Sequence, residues 1–204
     1  IYYLSLSYGP LCYIDYAIFS DQLRQESITH RLNSEIARSK EQFILDHRIN
    51  HGGNLPEAWK ALEVASFGTL SKLYKNLNHQ LPEKSKIALE FGFTTHKDFS
   101  SFLEATTVLR NGIAHHSRLW NNTITIKYLW PKNIKNPPIT YIPSNNQRAK
   151  LFSLFTLVLY TLQHISDNSS IKDKFYELVN EFPMVPTYKM GFPENWRTQP
   201  IWLK

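Results

Sequence analysis

The sequence predicts an all-α fold, and three observations support this. Apolar residues recur at helical spacing through most of the chain, helix-start signals precede several of these segments, and glycine supplies only 7 of the 204 residues. A chain of this length is most simply one domain with a sizeable core. The longest mostly apolar run, 151–160, has about half the length that a membrane-spanning helix needs, so no membrane association is predicted.

In the first part of the chain, the residue pattern predicts three long helices and a short one. Gly52-Gly53 ends the second helix, and Asn54 is the N-cap candidate of the third. Gly68 lies inside that third helix, where a glycine usually marks a close helix crossing. The four predicted helices cover 13–23, 27–51, 54–77 and the segment from Pro82 to near Gly92.

The second part begins with a strongly patterned helix, which starts at Thr95, with Asp98 three residues later, and runs to the pair His115-His116. Beyond it the sequence predicts a short β strand or hairpin arm, a proline-containing loop, a long apolar helix, a last helix that Ser170 caps, and an irregular tail. These elements cover 123–128, 131–143, 145–165, 170–182 and 183–204. The predicted organisation is a helical domain over 1–182 with the tail 183–204 docked on it.

Charge and cysteine content narrow the class of protein. The formal charge of +6 favours an anionic partner such as nucleic acid. The single cysteine, Cys12, excludes an internal disulfide and fits a reducing cytosol, so a cytoplasmic location is predicted. His47 and His51 have a spacing that can hold a metal, but they lie at a glycine-terminated helix end and form no HExxH pattern. We therefore predict neither a metal nor a cofactor.

Residues 110–120 are the most informative stretch of the chain. They read Arg110-Asn111-Gly112-Ile113-Ala114-His115-His116-Ser117-Arg118-Leu119-Trp120. An arginine, an amide and a histidine close together at a helix end suit metal-free chemistry on a phosphodiester. In such chemistry arginine holds the phosphate charge and histidine transfers a proton.

A helical projection separates these residues by face. His116 falls at the margin of the apolar face, so we expect it to be a packed, hydrogen-bonded supporter of the site. Arg118 returns to the polar side if the helix continues that far. The alternative interpretation is an ordinary solvated helix face whose basic last turn complements the helix dipole. The side opposite the apolar stripe collects Arg110, Asn111, His115 and Glu104.

Several separated blocks resemble the Abi-like abortive-infection proteins of bacteria, of the AbiD/AbiF type, within the HEPN superfamily. The resemblance extends over most of the chain. It also implies that this chain lacks an N-terminal helical segment which family members usually carry. The blocks are Tyr8-Gly9-Pro10, Ser66-Phe67-Gly68-Thr69-Leu70-Ser71-Lys72-Leu73-Tyr74, the stretch from Arg110 to Asn121, and Met190-Gly191-Phe192-Pro193-Glu194-Asn195-Trp196.

This resemblance implies an α-helical HEPN bundle and a metal-independent endoribonuclease of phage defence, acting on cellular or phage RNA. Arg110, Asn111 and His115 correspond to the catalytic motif of that superfamily, with His116, Arg118 and Glu104 as supporting or RNA-binding residues. Such sites are commonly built where two HEPN units meet, so a homodimer through the motif face is expected. Cleavage should leave a 2′,3′-cyclic phosphate and a 5′-hydroxyl.

Two other functions remain open at this point. One is a non-catalytic RNA- or protein-binding HEPN module, in which Arg110 and His115 only grip phosphate or build an interface. The other is a toxin-like subunit held silent by an inhibitory protein or RNA partner. The sequence alone gives neither the RNA target nor the trigger.

Overall fold

The computed structural model describes residues 1–166 and 169–203, and most of them are helical. Those residues contain no β strand, which agrees with the all-α prediction. The chain divides into two compact units, Ile1–Ile87 and Ala88–Lys204. None of the helices in the described ranges combines the length and apolar character needed to cross a membrane.

The first unit is built from short and medium helices around a core of aliphatic side chains, among them Ile28, Leu32 and Leu73. Two 3-10 turns, Cys12–Ile14 and Tyr16–Ile18, follow the first helix. The helices are α1 (Tyr2–Tyr8), α2 (Gln22–Arg38), α3 (Gln42–His51), α4 (Ala58–Glu63), α5 (Phe67–Asn76) and α6 (Pro82–Glu90), the last of which continues across the boundary at Ile87.

The prediction of a helix over 13–23 is wrong, and so is the prediction of one continuous helix over 27–51. The side chain of Asp21 accepts a hydrogen bond from the Arg24 amide at 2.9 Å, which starts α2 at Gln22. The end of α2 is set by Arg48 of α3, whose guanidinium donates to the carbonyls of Ile36 and Ala37. Carbonyls in the last turn of a helix have no partner within the helix, and the Ile36 carbonyl also accepts from the Ser39 amide at 3.1 Å.

The single helix predicted over 54–77 is also wrong, because a buried carboxylate interrupts it. Glu35 of α2 accepts hydrogen bonds from the Ser66 amide at 2.9 Å and the Thr69 hydroxyl at 3.0 Å. Ser66 in turn caps α5 through its side chain. Gly68 therefore lies in the first turn of α5 and not in the middle of a longer helix. The short helix predicted after Pro82 is confirmed as α6.

The second unit contains the patterned helix α7. Its N-cap is Thr95, whose hydroxyl accepts from the Asp98 amide at 3.1 Å, as the sequence predicts. Two of its buried side chains, Phe99 and Phe102, pack against the ring of Phe93 in tilted arrangements. The helices of this unit are α7 (His96–Ala114), α8 (Asn145–Arg148), α9 (Leu151–Ile165) and α10 (Ile171–Glu181).

The strand or hairpin arm expected over 123–128 is absent from the described structure. Its backbone pairs with other groups: the Ile124 amide donates to the carbonyl of Ala149, and the guanidinium of Arg148 donates to the carbonyl of Tyr128. The helix expected over 145–165 is split at Ala149-Lys150. A capping box of Ser144 and Gln147 begins α8, and the Ala149 carbonyl that follows this helix accepts from the Ile124 amide.

The C-terminal segment contributes its aromatic residues to the core of the second unit. The ring of Trp202 is fully buried beside Phe152 of α9 and Phe175 of α10, and its indole nitrogen donates to Thr156 at 3.1 Å. Trp196 packs edge-on against Trp202. Three 3-10 turns, Thr187–Met190, Trp196–Thr198 and Pro200–Trp202, shape this segment. The tail thus supplies part of the packing that holds α9 and α10 together.

Candidate functional site at the end of α7

The helix α7 ends within the arginine–histidine segment, at Ala114. The His116 amide donates to the carbonyl of Ile113 at 3.0 Å, and the Ser117 amide donates to that of Gly112 at 2.8 Å. These two bonds form a Schellman motif, which needs a left-handed residue at the position that His116 occupies. His116 has a φ of 54° there, so the backbone turns sharply between His115 and Ser117.

The expectation that His116 packs at the margin of the apolar face is wrong, since its side chain is exposed. The helical projection assumed that the helix continues through residue 116. His116 instead takes the left-handed position, usually occupied by glycine, that terminates the helix. This conformation is costly for most residues, although histidine adopts it more often than most do. In the structure, His116 therefore reverses the direction of the backbone at the end of α7.

Arg110, Asn111 and His115 all present exposed side chains. The Arg110 guanidinium donates to the side-chain oxygen of Asn111 at 3.3 Å. The His115 amide donates to the Asn111 carbonyl at 3.0 Å, which ties the histidine backbone to the last turn of the helix. A cation and an amide are therefore paired at a solvent-facing helix end, and the exposed imidazole of His115 follows one turn later.

The remaining predicted site residues lie on either side of this helix end. Glu104 is half-buried on α7, two turns before Asn111. Arg118 is exposed, but it lies beyond the helix, in the segment that follows the reversal at His116. Its orientation is therefore set by the loop, and the helical projection does not apply to it.

The apolar face of α7 loses its cover toward this end. Phe99, Phe102 and Ala105 are buried, whereas Leu109 is half-buried and Ile113 is 53 % exposed. The sequence predicted one continuous core stripe through Ile113. The structure instead has an apolar cavity of about 650 Å³, to which Leu109 and Ile113 contribute. The pattern of residue types could not reveal this cavity, because α10 and the tail close around it.

The histidines considered as metal ligands have structural partners. His47 is buried, its ring stacks on His51 with centroids 4.6 Å apart, and its Nε2 lies 3.0 Å from the Asn54 carbonyl. Glu57 and Lys60 lie beside its other ring nitrogen. Across the ranges that the structure describes, no three His, Cys, Asp or Glu side chains group so as to hold a metal ion.

Charged hydrogen-bond donors at an exposed helix end can hold a phosphate group, and an imidazole beside them can exchange a proton with a bound hydroxyl. The Arg110 guanidinium offers several donors for phosphate oxygens in addition to the one directed at Asn111. The first unit carries a comparable exposed pair, Arg24 and His30 on α2, but the amide that follows Arg24, that of Gln25, is buried and donates to the Tyr13 carbonyl. That pair provides a natural comparison for the residues of α7.

Comparison with known proteins identifies the family. A family model described as Abi-like protein matches residues 1–121, which is more than half of the chain. The match includes the whole of α7 and ends at Asn121, so it contains the segment from Arg110 to Trp120. No curated protein and no solved structure matches the chain. On this evidence the chain belongs to the Abi-like family of abortive-infection proteins.

Proposed function

We propose that this abortive-infection protein is a metal-independent endoribonuclease of the HEPN type, with Arg110, Asn111 and His115 as its catalytic residues. The observation that carries the proposal is the joint exposure of these three side chains at the end of α7. Family membership supplies the biological context, since it identifies the chain as an abortive-infection protein. A formal charge of +6 suits a polyanionic substrate.

The proposed reaction is an internal transesterification of RNA. The ribose 2′-hydroxyl loses its proton to an imidazole, and its oxygen forms a bond to the adjacent phosphorus. The bond from phosphorus to the 5′-oxygen breaks, and that oxygen takes a proton from a protonated imidazole. Arg110 stabilises the negative charge that develops on the phosphoryl oxygens, while Asn111 holds the guanidinium through the bond seen at 3.3 Å. The products are a 2′,3′-cyclic phosphate and a 5′-hydroxyl.

A homodimer would complete the site. Each chain carries one such motif, and the reaction needs both a base and an acid. A two-fold axis near the end of α7 would bring two Arg110 and two His115 side chains to one self-complementary interface. The two guanidinium groups repel each other unless an anion lies between them. Such a dimer should therefore bind phosphate or RNA more readily than either chain alone.

The test is cleavage of an unstructured RNA by the purified chain in excess EDTA. Wild type is expected to produce fragments with cyclic phosphate ends, and His115→Ala is expected to abolish cleavage while leaving RNA affinity within a few-fold. Arg110→Ala should weaken both binding and cleavage. Cleavage that needs a metal ion and leaves 3′-hydroxyl ends would overturn the proposal.

The chain itself offers matched controls for these variants. Arg24→Ala and His30→Ala remove an exposed arginine and an exposed histidine from α2, so they reproduce the charge change away from the end of α7. Both should cleave as wild type does. Equal losses in the control and test variants would assign the effect to net charge and not to the site.

One observation favours the alternative of a non-catalytic RNA- or protein-binding HEPN module. A general base is usually oriented by a hydrogen bond to its second ring nitrogen. In the described part of the chain, no such bond is made to the ring of His115. If RNA binds with Arg110-dependent affinity and remains intact at every protein concentration tested, this alternative replaces the first proposal. A toxin-like subunit silenced by a partner would instead become active when that partner is removed.

A further inference from the structure

The cavity beside α7 has the properties of a ligand-binding site. Its volume of about 650 Å³ lies in the range typical of small-molecule pockets. Its walls come from the last turns of α7, from α9, from α10 and from the segment that contains Val185 and Met190. All of these elements belong to the second unit, so the cavity is formed within one compact body.

The lining of this cavity is almost entirely apolar. Aliphatic and aromatic side chains cover it, and among the described residues that line it Thr187 is the one with a hydroxyl group. Several of these side chains retain large exposed areas: Ile113 and Leu178 are each 53 % exposed, and Phe182 is 45 % exposed. Apolar surface of this kind favours an occupant that removes it from water.

The surroundings of Trp120 indicate where the polar end of such an occupant lies. The indole ring of Trp120 lines the cavity, while its nitrogen is enclosed by protein atoms and has no hydrogen-bond partner in the described part of the chain. The ring therefore offers the occupant an apolar wall and not a donor. The ammonium group of Lys189 lies 5.3 Å from the centre of the same ring, so a positive charge is near this wall.

We propose that this cavity binds an amphiphile with a single apolar chain and a carboxylate head, such as a medium-chain fatty acid. The chain would occupy the space between Ile113 and Leu178, and the carboxylate would meet the Lys189 ammonium group beside the Trp120 ring. Charge complementarity at Lys189 selects a carboxylate over a neutral head. This binding site is independent of the proposed ribonuclease chemistry.

The cavity also shares a helical turn with the candidate site. Leu109 and Ile113 line it, and Arg110 lies between them in the sequence on the same turns of α7. A bound chain would restrain that turn and thereby the backbone that carries Arg110. This coupling rests on the proposed function, whereas binding itself does not.

The experiment measures binding of dodecanoate and of its neutral counterpart, 1-dodecanol, to the purified full chain. Calorimetry and the change in tryptophan fluorescence are the readouts. Wild type should bind dodecanoate saturably with one site per chain. Lys189→Gln should weaken dodecanoate binding while leaving dodecanol binding within about two-fold, because the lost interaction is with the charged head.

Leu178→Glu places a charge against the apolar chain and should weaken both probes by at least about tenfold. Its matched control is Leu23→Glu on α2, which changes another strongly exposed leucine (80 %) and should bind as wild type does. Leu178→Trp fills the cavity without adding charge, and it should also block both probes. Circular dichroism verifies that each variant is folded.

Three results would overturn the proposal. One is the absence of saturable binding of either probe to folded wild type. Another is binding that Leu178→Glu and Leu178→Trp leave unchanged. The third is a chain that sediments as a dimer, becomes a monomer on Leu178→Glu and binds neither probe, because the apolar surface would then be covered by a second copy. RNA cleavage is not among these readouts, so failure of the ribonuclease proposal leaves this test intact.

Discussion

Replacement of Gly191 by alanine tests whether the C-terminal segment is seated on α9 as the structure describes. Gly191 has a φ of 85° in the left-handed region and follows the turn Thr187–Met190. A Cβ atom at this position would lie 2.5 Å from the Cβ of Lys150 and 3.3 Å from its Cγ. Lys150 is the N-cap of α9, and its Cβ cannot move without moving the helix backbone.

The expected loss of stability has two parts. An alanine in the left-handed conformation costs about 1–2 kcal/mol. Forcing a carbon atom into a packed contact with Lys150 costs a further ~1–3 kcal/mol. Gly52→Ala is the matched control, since Gly52 is also left-handed (φ 59°) but a Cβ there would meet no atom within 4 Å. We therefore expect Gly191→Ala to lose about 1–3 kcal/mol more than Gly52→Ala.

Urea denaturation with circular dichroism gives the change in the free energy of unfolding for each variant. Hydrogen exchange of peptides from α9 and from α3 assigns each loss to the unit in which the substitution lies. Equal losses for the two variants, within about 0.5 kcal/mol, would refute the reasoning, because Gly191 would then have open space around it.

Three further predictions concern stability and the helix end. Burial alone would raise the pKa of Glu35, but hydrogen bonds from Ser66, Thr69 and Arg31 outweigh this effect and lower that pKa. The free energy of unfolding should therefore fall as the pH drops below 4.5, the ordinary pKa of a glutamate. In acid urea titrations, Glu35→Gln should flatten this fall. Burial lowers the pKa of Lys84 to about 8 from 10.5, so the unfolded state binds the extra proton between these values. Stability should rise by about 1–2 kcal/mol from pH 8 to 9.5 in urea titrations, and Lys84→Met should remove the rise. His116→Gly relieves the left-handed histidine and should change the melting temperature little while preserving RNA cleavage; loss of cleavage would give the His116 side chain a chemical role.

The amino-acid sequence by itself determined the helical class and the elements that have strong local signals. Thr95 begins α7 because its hydroxyl caps the helix, and Pro82 begins α6 for an equally local reason. The exposed position of Asn111 also follows from helical spacing, since it lies about 120° from Phe99 and about 180° from Phe102 around the helix. Arg110 lies only about 20° from Phe99, so its exposure follows instead from the loss of cover toward the end of α7. Local signals of this kind depend on residues a few positions apart.

Tertiary structure decided the points at which long-range partners satisfy the backbone. The break after Arg38 depends on Arg48, and the start of α5 depends on the Glu35 carboxylate, 31 residues before Ser66. The apolar stripe of α7 predicted a buried Ile113, but the cavity formed with α10 and the tail leaves that side chain half exposed. A periodic pattern states which face is apolar. Only the packing of distant segments decides what covers that face. Such contacts join residues that are far apart in the sequence, so no short stretch of sequence indicates them.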